Sequence, residues 1–232
     1  MQSIQKRSHT SAVHAKQTLT QAVVARLREE IISGQLEGGS MLVEIPTAER
    51  LGVSRVPIRE ATLVLERDGL LVFEGRGRCR VRQLEARDLD EIYSIRLLLE
   101  VETFRLAARN HEERDLELMR EKVHQMDNAA SLTQVTIHDI EFHDLIALAS
   151  RQSRLIHLWE IMRGQIQLFT ARLQREVNEF HIAVRETAVR KHGECVRVLQ
   201  SRDEEAAAEC ARHHLKLWDE WLHRTQRSGI EA

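Results

Sequence analysis

The sequence is short of the residues that interrupt helices. It has two prolines among 232 residues, and only 4% of its side chains are aromatic. With Leu, Ala, Arg and Glu abundant, this points to a mostly helical chain. No apolar run approaches the ~20 residues that span a bilayer, so no membrane partner is expected. Met1–Gln17 is polar, lacks the apolar core of a secretory signal, and reads as a disordered leader. The cytoplasm is the expected location. Cys79, Cys195 and Cys210 are an odd, widely spaced set without a CxxC pair, which argues against a disulfide framework. An HExxH sequence, a nucleophile elbow and a phosphate-cradling glycine loop are all missing, so catalysis is not expected.

What is present is unevenly distributed. The net charge is −2, but residues 1–84 carry 13 Lys/Arg against 9 Asp/Glu, and residues 85–232 carry 21 against 27. A basic module joined to an acidic one hints at a polyanion partner for the first.

The basic half has recognisable punctuation. From Thr18, with Thr18 or Thr20 as cap, Val23, Leu27 and Ile31 repeat at helical spacing until Gly34 and Gly38-Gly39 end the helix. A short second helix is expected between Pro46 and Leu51, and a third from about Arg55 to Asp68 with Ser54 as its cap. Helix, glycine-containing turn and helix make a helix-turn-helix, whose second helix presents its first residues to base edges in the major groove. Those residues are Ser54, Arg55, Val56 and Arg59; arginine can bond guanine N7 and O6 as a pair. Two short strands, Leu71–Glu74 and Cys79–Arg82, read as a hairpin with a glycine-rich tip. The arginines alternating from Arg76 to Arg82 cannot all face a core. Similar elements also serve purely for packing; the arginine-rich hairpin following the third helix favours DNA.

The segment "ERLGVSRVPIREATLVLERDGLLVFEGRGRCRV" resembles the DNA-binding domain of GntR-family regulators, with "LGVSR", "PIREA", "LERDGL" and "GRG" in the family's order. The resemblance implies a winged helix-turn-helix over residues 18–82, with Ser54, Arg55, Val56 and Arg59 at DNA-contact positions and Gly75, Arg76 and Gly77 at the wing tip. Ile45 and Pro46 depart from the family, which usually has an arginine there.

After a linker at 83–87, too short and too free of Gly and Pro to act as a loose tether, residues 88–228 show only helical stretches. These are Asp88–Asn110, Glu112–Asn128, Ile137–Leu148, Ser153–Arg175, Phe180–Leu199 and Arg202–Arg224. The first is apolar nearly all round, with Arg96 and Glu100 embedded four residues apart; the pair is either an internal ion pair or leaves Arg96 to meet an anionic ligand. Asp139 and His143 share one helix face, and His192 and His214 stand in two later helices. Should they converge, they offer N/O ligation to a divalent cation. His138, His213, Cys195 and Cys210 are close enough in sequence to compete.

This half resembles the all-helical FCD domain of the FadR-like branch of the same family, through "DLDEIYSIRLLLE", "DIEFH", His192 in "VRKHGECVRVL" and "ARHHL". The resemblance carries the ligand roles of metal-containing members onto Asp139, His143, His192 and His214, with zinc as the expected ion and nickel or manganese as alternatives. The whole is expected to be a mostly α, two-domain homodimer that binds a palindromic operator on double-stranded DNA. It would act as a repressor, sensing a small carboxylate at the metal with Arg96 in contact. The alternatives are a constitutive DNA binder whose helical half only dimerises and, less favoured, a metal-dependent enzyme.

Overall fold

The computed structural model describes residues 19–75, 78–176 and 181–227; the leader expected at 1–17 lies outside them. The chain divides into two compact units, Met1–Gln83 and Leu84–Ala232.

The first unit opens with helix α1 (19–33), whose Val23, Leu27 and Ile31 are buried at the expected spacing. Gly34, with φ +83°, turns the chain out of it. Strand β1 (Met41–Val43) follows, then α2 (Glu44–Leu51), α3 (Arg55–Arg67), β2 (Leu71–Gly75) and β3 (Arg78–Val81). The strands form one antiparallel sheet in the order β1-β3-β2. β1 went unpredicted because three residues between "GGS" and "EIP" are too few to show alternation; it is a strand because β3 offers it a partner, Leu42 facing Cys79. Along β3, burial alternates: Cys79 and Val81 face inward while Arg78 and Arg80 face out. α2 starts at Glu44 rather than Pro46, which still lies in the first turn, where a missing N–H costs nothing. Gly52 closes α2 at φ +66°, a left-handed residue that gives the tight turn into α3.

Ile58, Ala61 and Leu65 on α3 are fully buried with Leu27, Leu70 and Leu71. α2 is tied to α1 by charge as well. Arg50 meets the buried Glu30 carboxylate with both terminal nitrogens, at 2.7 and 2.8 Å, and Arg26 adds a third bond at 2.9 Å.

The second unit consists of α4 (Ala86–Asn110), α5 (Glu113–Asp127), α6 (Leu132–Ala149), α7 (Ser153–Glu176), α8 (His181–Gln200) and α9 (Glu204–Arg227). α6 begins at Leu132, ahead of the expected Ile137, because Ser131 caps it by accepting a bond from the Gln134 amide. Glu85 and Asp88 start α4 as a reciprocal capping box, and Asp203 caps α9 through the Ala206 amide.

α6 is the central helix. Phe142 and Ile146 join a core with Phe104, Met119, Cys195, Leu199 and Ala207. Ile140 and Ala147, on another side, join a second core with Leu89, Ile92, Trp159, Ile166 and Phe169. A helix buried on several faces has no polar stripe, which "VTIHDIEFHDLIALA" lacks. α4, apolar nearly all round in sequence, is not buried all round: its Ile95 and Leu98 are exposed, Leu98 at 74%. Among the described residues, no helix is long and apolar enough to cross a membrane.

Candidate functional site

In the first unit, the start of α3 is exposed as a group. Ser54, Arg55, Val56 and Arg59 all face solvent, while the intervening Pro57 and Ile58 are buried and fix the helix on its other side. Ser54 occupies the cap position, but its hydroxyl makes no cap hydrogen bond, contrary to the expected capping role. The Arg55 side chain is 64% exposed and touches the Glu44 carboxylate at 3.4 Å, a contact too loose and too solvated to hold it. Ile45, at the family's usual arginine position, is half-exposed. Gly75 adopts φ +84° with open space where a Cβ would stand, so glycine is favoured there by backbone conformation. Arg76 and Gly77 lie outside the described residues. Of the other alternating arginines, Arg80 is held by Glu74 at 2.6 Å and by the Gly39 carbonyl, and Arg82 by the Gly69 carbonyl at 2.7 Å. Arg78 is exposed.

In the second unit, Asp139 and His143 on α6, His192 on α8 and His214 on α9 converge. All four are buried, and one ligand-type atom from each lies within 4.8 Å of the others. An ion held at about 2.0–2.2 Å from each ligand needs those atoms about 3–4 Å apart, so a small inward movement completes the shell. The donor set itself fits a cation. Asp139 Oδ2, both ring nitrogens of His143 and Nε2 of His192 are buried without a hydrogen-bond partner. His192 Nε2 does lie 3.0 Å from Asp139 Oδ1, and His143 Nδ1 lies 2.8 Å from Glu100 Oε2, near in distance but not aligned as hydrogen bonds. Buried polar atoms are left this way where another partner completes them.

The surroundings orient these side chains and set the charge of two of them. His192 Nδ1 is 2.7 Å from the Ala188 carbonyl oxygen; donating there orients the ring, with Nε2 toward Asp139. Burial, reinforced by the neighbouring His192 and His143, pushes the His214 ring well below its ordinary value and keeps it neutral. Burial raises the Asp139 carboxyl, but the facing His192 outweighs it and the acid sits at about 2. Glu100 behaves alike: burial raises it, and Arg96 and then His143 bring it down to about 2.

Arg96 is wholly buried. Its Nε donates to Glu100 at 2.5 Å and its Nη1 to the Thr170 hydroxyl at 3.1 Å, while Nη2 has no partner among the described residues. Both sequence readings of the pair therefore have a structural counterpart: an internal ion pair, and one guanidinium nitrogen left over. Sequence reasoning missed that Glu100 also faces His143, and missed Thr170 altogether; neither is marked by local spacing. Among the competitors, His138 turns to Glu141 at 3.1 Å and His213 is exposed. Cys195 lies behind the cluster, its Sγ 3.8 Å from His214 Nδ1.

A basic reading head of three helices and a wing, with a helical bundle that carries an inward-facing Asp/His group, defines a one-component transcription regulator. The gntR family of bacterial regulatory proteins matches residues 19–81 and the FCD domain matches residues 91–217. The chain belongs to this family, in the FCD-containing branch. It is similar to the HTH-type transcriptional regulator YdhC of Bacillus subtilis, 29% identical over 89% of this chain and 92% of that one. It is also similar to the gluconate operon transcriptional repressor of Bacillus licheniformis, 27% identical over 86% and 85%. Among solved structures, McbR/YncC of E. coli superposes with a TM-score of 0.72 at 25% identity, over 90% of this chain and 98% of that one. These relatives are transcription regulators and not enzymes, and this chain is a DNA-binding regulator of their kind.

Proposed function

We propose that the chain is a metabolite-responsive repressor that binds a palindromic operator as a homodimer and senses a small carboxylate at a metal site. Residues 18–82 form the DNA-binding domain and 88–228 the effector domain, joined by a linker at 83–87 whose last two residues already belong to α4. The observation that carries the sensing role is the convergence of Asp139, His143, His192 and His214 in a buried site with unpartnered donor atoms. Zinc fits the three-imidazole, one-carboxylate set best, with nickel or manganese as the alternatives. Bound there, the ion would offer a Lewis-acidic position to a carboxylate oxygen. The chain's own part is to hold the His214 imidazole neutral, to exclude water, and to aim the spare Nη2 of Arg96 at the anion. A relative named for the gluconate operon supports an acid of that size.

On the DNA side, Arg55 and Arg59 read bases, Ser54 and Val56 flank them, and Gly75, Arg76 and Gly77 approach phosphate. A dimer is supported by apolar side chains left exposed on two helices that pack together, Ile95 and Leu98 on α4 and Leu158 and Ile161 on α7. Two reading heads then match two half-sites.

Metal content of the purified full chain, measured by elemental mass spectrometry, tests the site. The wild type should carry about one ion per chain when reconstituted, and His192→Ala with His214→Ala should carry none. Unchanged metal content in the double variant rejects the ligand set. Organic acids screened for thermal shift on the metal-loaded chain then test the sensing role.

A further inference from the structure

Next to the metal cluster, α8 and α9 bring two thiols together. Cys195 Sγ and Cys210 Sγ are 3.4 Å apart. Both line a cavity of about 370 Å³, together with Lys191, His213 and His214. Cys195 is buried and Cys210 partly exposed, so a small solute entering the cavity meets Cys210 first. The third thiol is unlike them. Cys79 is enclosed in the wing sheet against the Leu42 carbonyl, and burial pushes it up to about 11.

We propose that Cys195 and Cys210 form an oxidant-responsive dithiol, which a hydroperoxide converts to a disulfide. The hydrogen bond with Cys195 holds the Cys210 thiol below its ordinary value, and the thiolate is the nucleophile. Cys210 attacks the terminal oxygen of the peroxide and the O–O bond breaks. The alkoxide leaves as an alcohol, taking up the proton the thiol gave up, and Cys210 becomes a sulfenic acid. The Cys195 sulfur then displaces that hydroxyl, and its own proton leaves with it as water. Two thiols are oxidised and one hydroperoxide is reduced, giving a disulfide, an alcohol and water. An S–S bond is about 2.05 Å long, so the sulfurs must close by a little over 1 Å. Oxidation also removes the hydrogen of the Cys195 thiol, whose sulfur lies 3.8 Å from His214 Nδ1. The consequence for the metal rests on the function proposed above; the bridge itself does not.

The test is to treat the reduced full chain with hydrogen peroxide, alkylate the remaining thiols under denaturing conditions, and map the peptides by mass spectrometry. The expected result is a cross-linked peptide joining Cys195 to Cys210, reversed by dithiothreitol, with Cys79 still alkylated. Cys210→Ser should abolish the cross-link and Cys79→Ser should leave it intact. Sulfinic acid accumulating at Cys210 without a bridge, or bridges formed only between chains, overturns the proposal, as does complete resistance to oxidation. In the oxidised chain, zinc affinity should fall roughly tenfold or more, the scale of losing a group that supports a ligand; equal affinity refutes the coupling to His214. If the reduced chain itself takes up no zinc, the metal reading fails, and the peptide map still decides the bridge.

Discussion

Glu100 is the side chain whose neutralisation should cost the helical domain most. Its carboxylate is 1% exposed and answers the Arg96 guanidinium, which is completely buried. Glu100→Gln keeps the shape and removes the charge, so Arg96 remains buried with only the Thr170 hydroxyl and an amide for company. Removing one member of a buried pair costs about 3–5 kcal/mol, because the remaining charge cannot regain water. For a domain of this size each kcal/mol is about 2–4 °C in Tm, so the apoprotein should melt roughly 10 °C lower. The control is Arg96→Met with Glu100→Gln, which removes both charges; it should recover about half the Glu100→Gln loss or more, about 2 kcal/mol, and Arg96→Met alone completes the double-mutant cycle. Urea denaturation followed by far-UV circular dichroism, with metal removed from all four proteins, reads each value. A single variant within about 1 kcal/mol of wild type, or a double variant no more stable than Glu100→Gln, would refute the claim that Arg96 depends on this carboxylate.

Three further outcomes are expected. Arg55→Ala should weaken operator binding by about 1–3 kcal/mol, or some ten- to hundredfold, without changing the melting temperature, since the side chain is mostly exposed; a gel-shift titration at fixed salt measures it, and unchanged affinity removes Arg55 from the reading surface. Because Glu100 and Asp139 are both held at about 2 in the fold, below their unfolded values near 4, their contribution is present above pH ~5 and is lost as pH falls toward ~2. Denaturant titrations of the apoprotein at successive pH values should show this slope, and Glu100→Gln should flatten it. Leu98→Glu, which places a charge on the most exposed large apolar side chain of α4, should shift the chain toward monomer in sedimentation velocity, whereas an unaltered dimer would locate the interface elsewhere.

The sequence announced the elements whose signals are local. Gly34 and Gly52 end α1 and α2, and both adopt the left-handed backbone that only glycine accepts cheaply. The exposed group at the start of α3 followed from a helical period starting just after Ser54. Asp139 and His143 were visible because one turn separates them. Spacing does not distinguish His192 and His214 among twelve histidines; family resemblance chooses them, and only the packing of α8 and α9 on each other, with α9 on α4 and α8 on α6, brings their rings within 4.6 Å of each other. Glu100 was half legible. Its bond to Arg96 is an i,i+4 matter, while its approach to His143 depends on how α4 meets α6, and no periodicity within one helix encodes that. The sequence pattern starts α6 late because Thr133, Val135 and Thr136 are weak helix formers, a preference the Ser131 cap and burial outweigh.

With apolar partners on opposing flanks, α6 has no spare face to rotate onto. One residue gained or lost within it would turn everything downstream by about 100°, exchanging the side that carries Asp139 and His143 for one built to touch hydrocarbon. Around this helix, length changes should therefore be tolerated in the connections at 128–131 and 150–152 and not within α6 itself, and the spacing of its acid and imidazole is as inflexible as their identity.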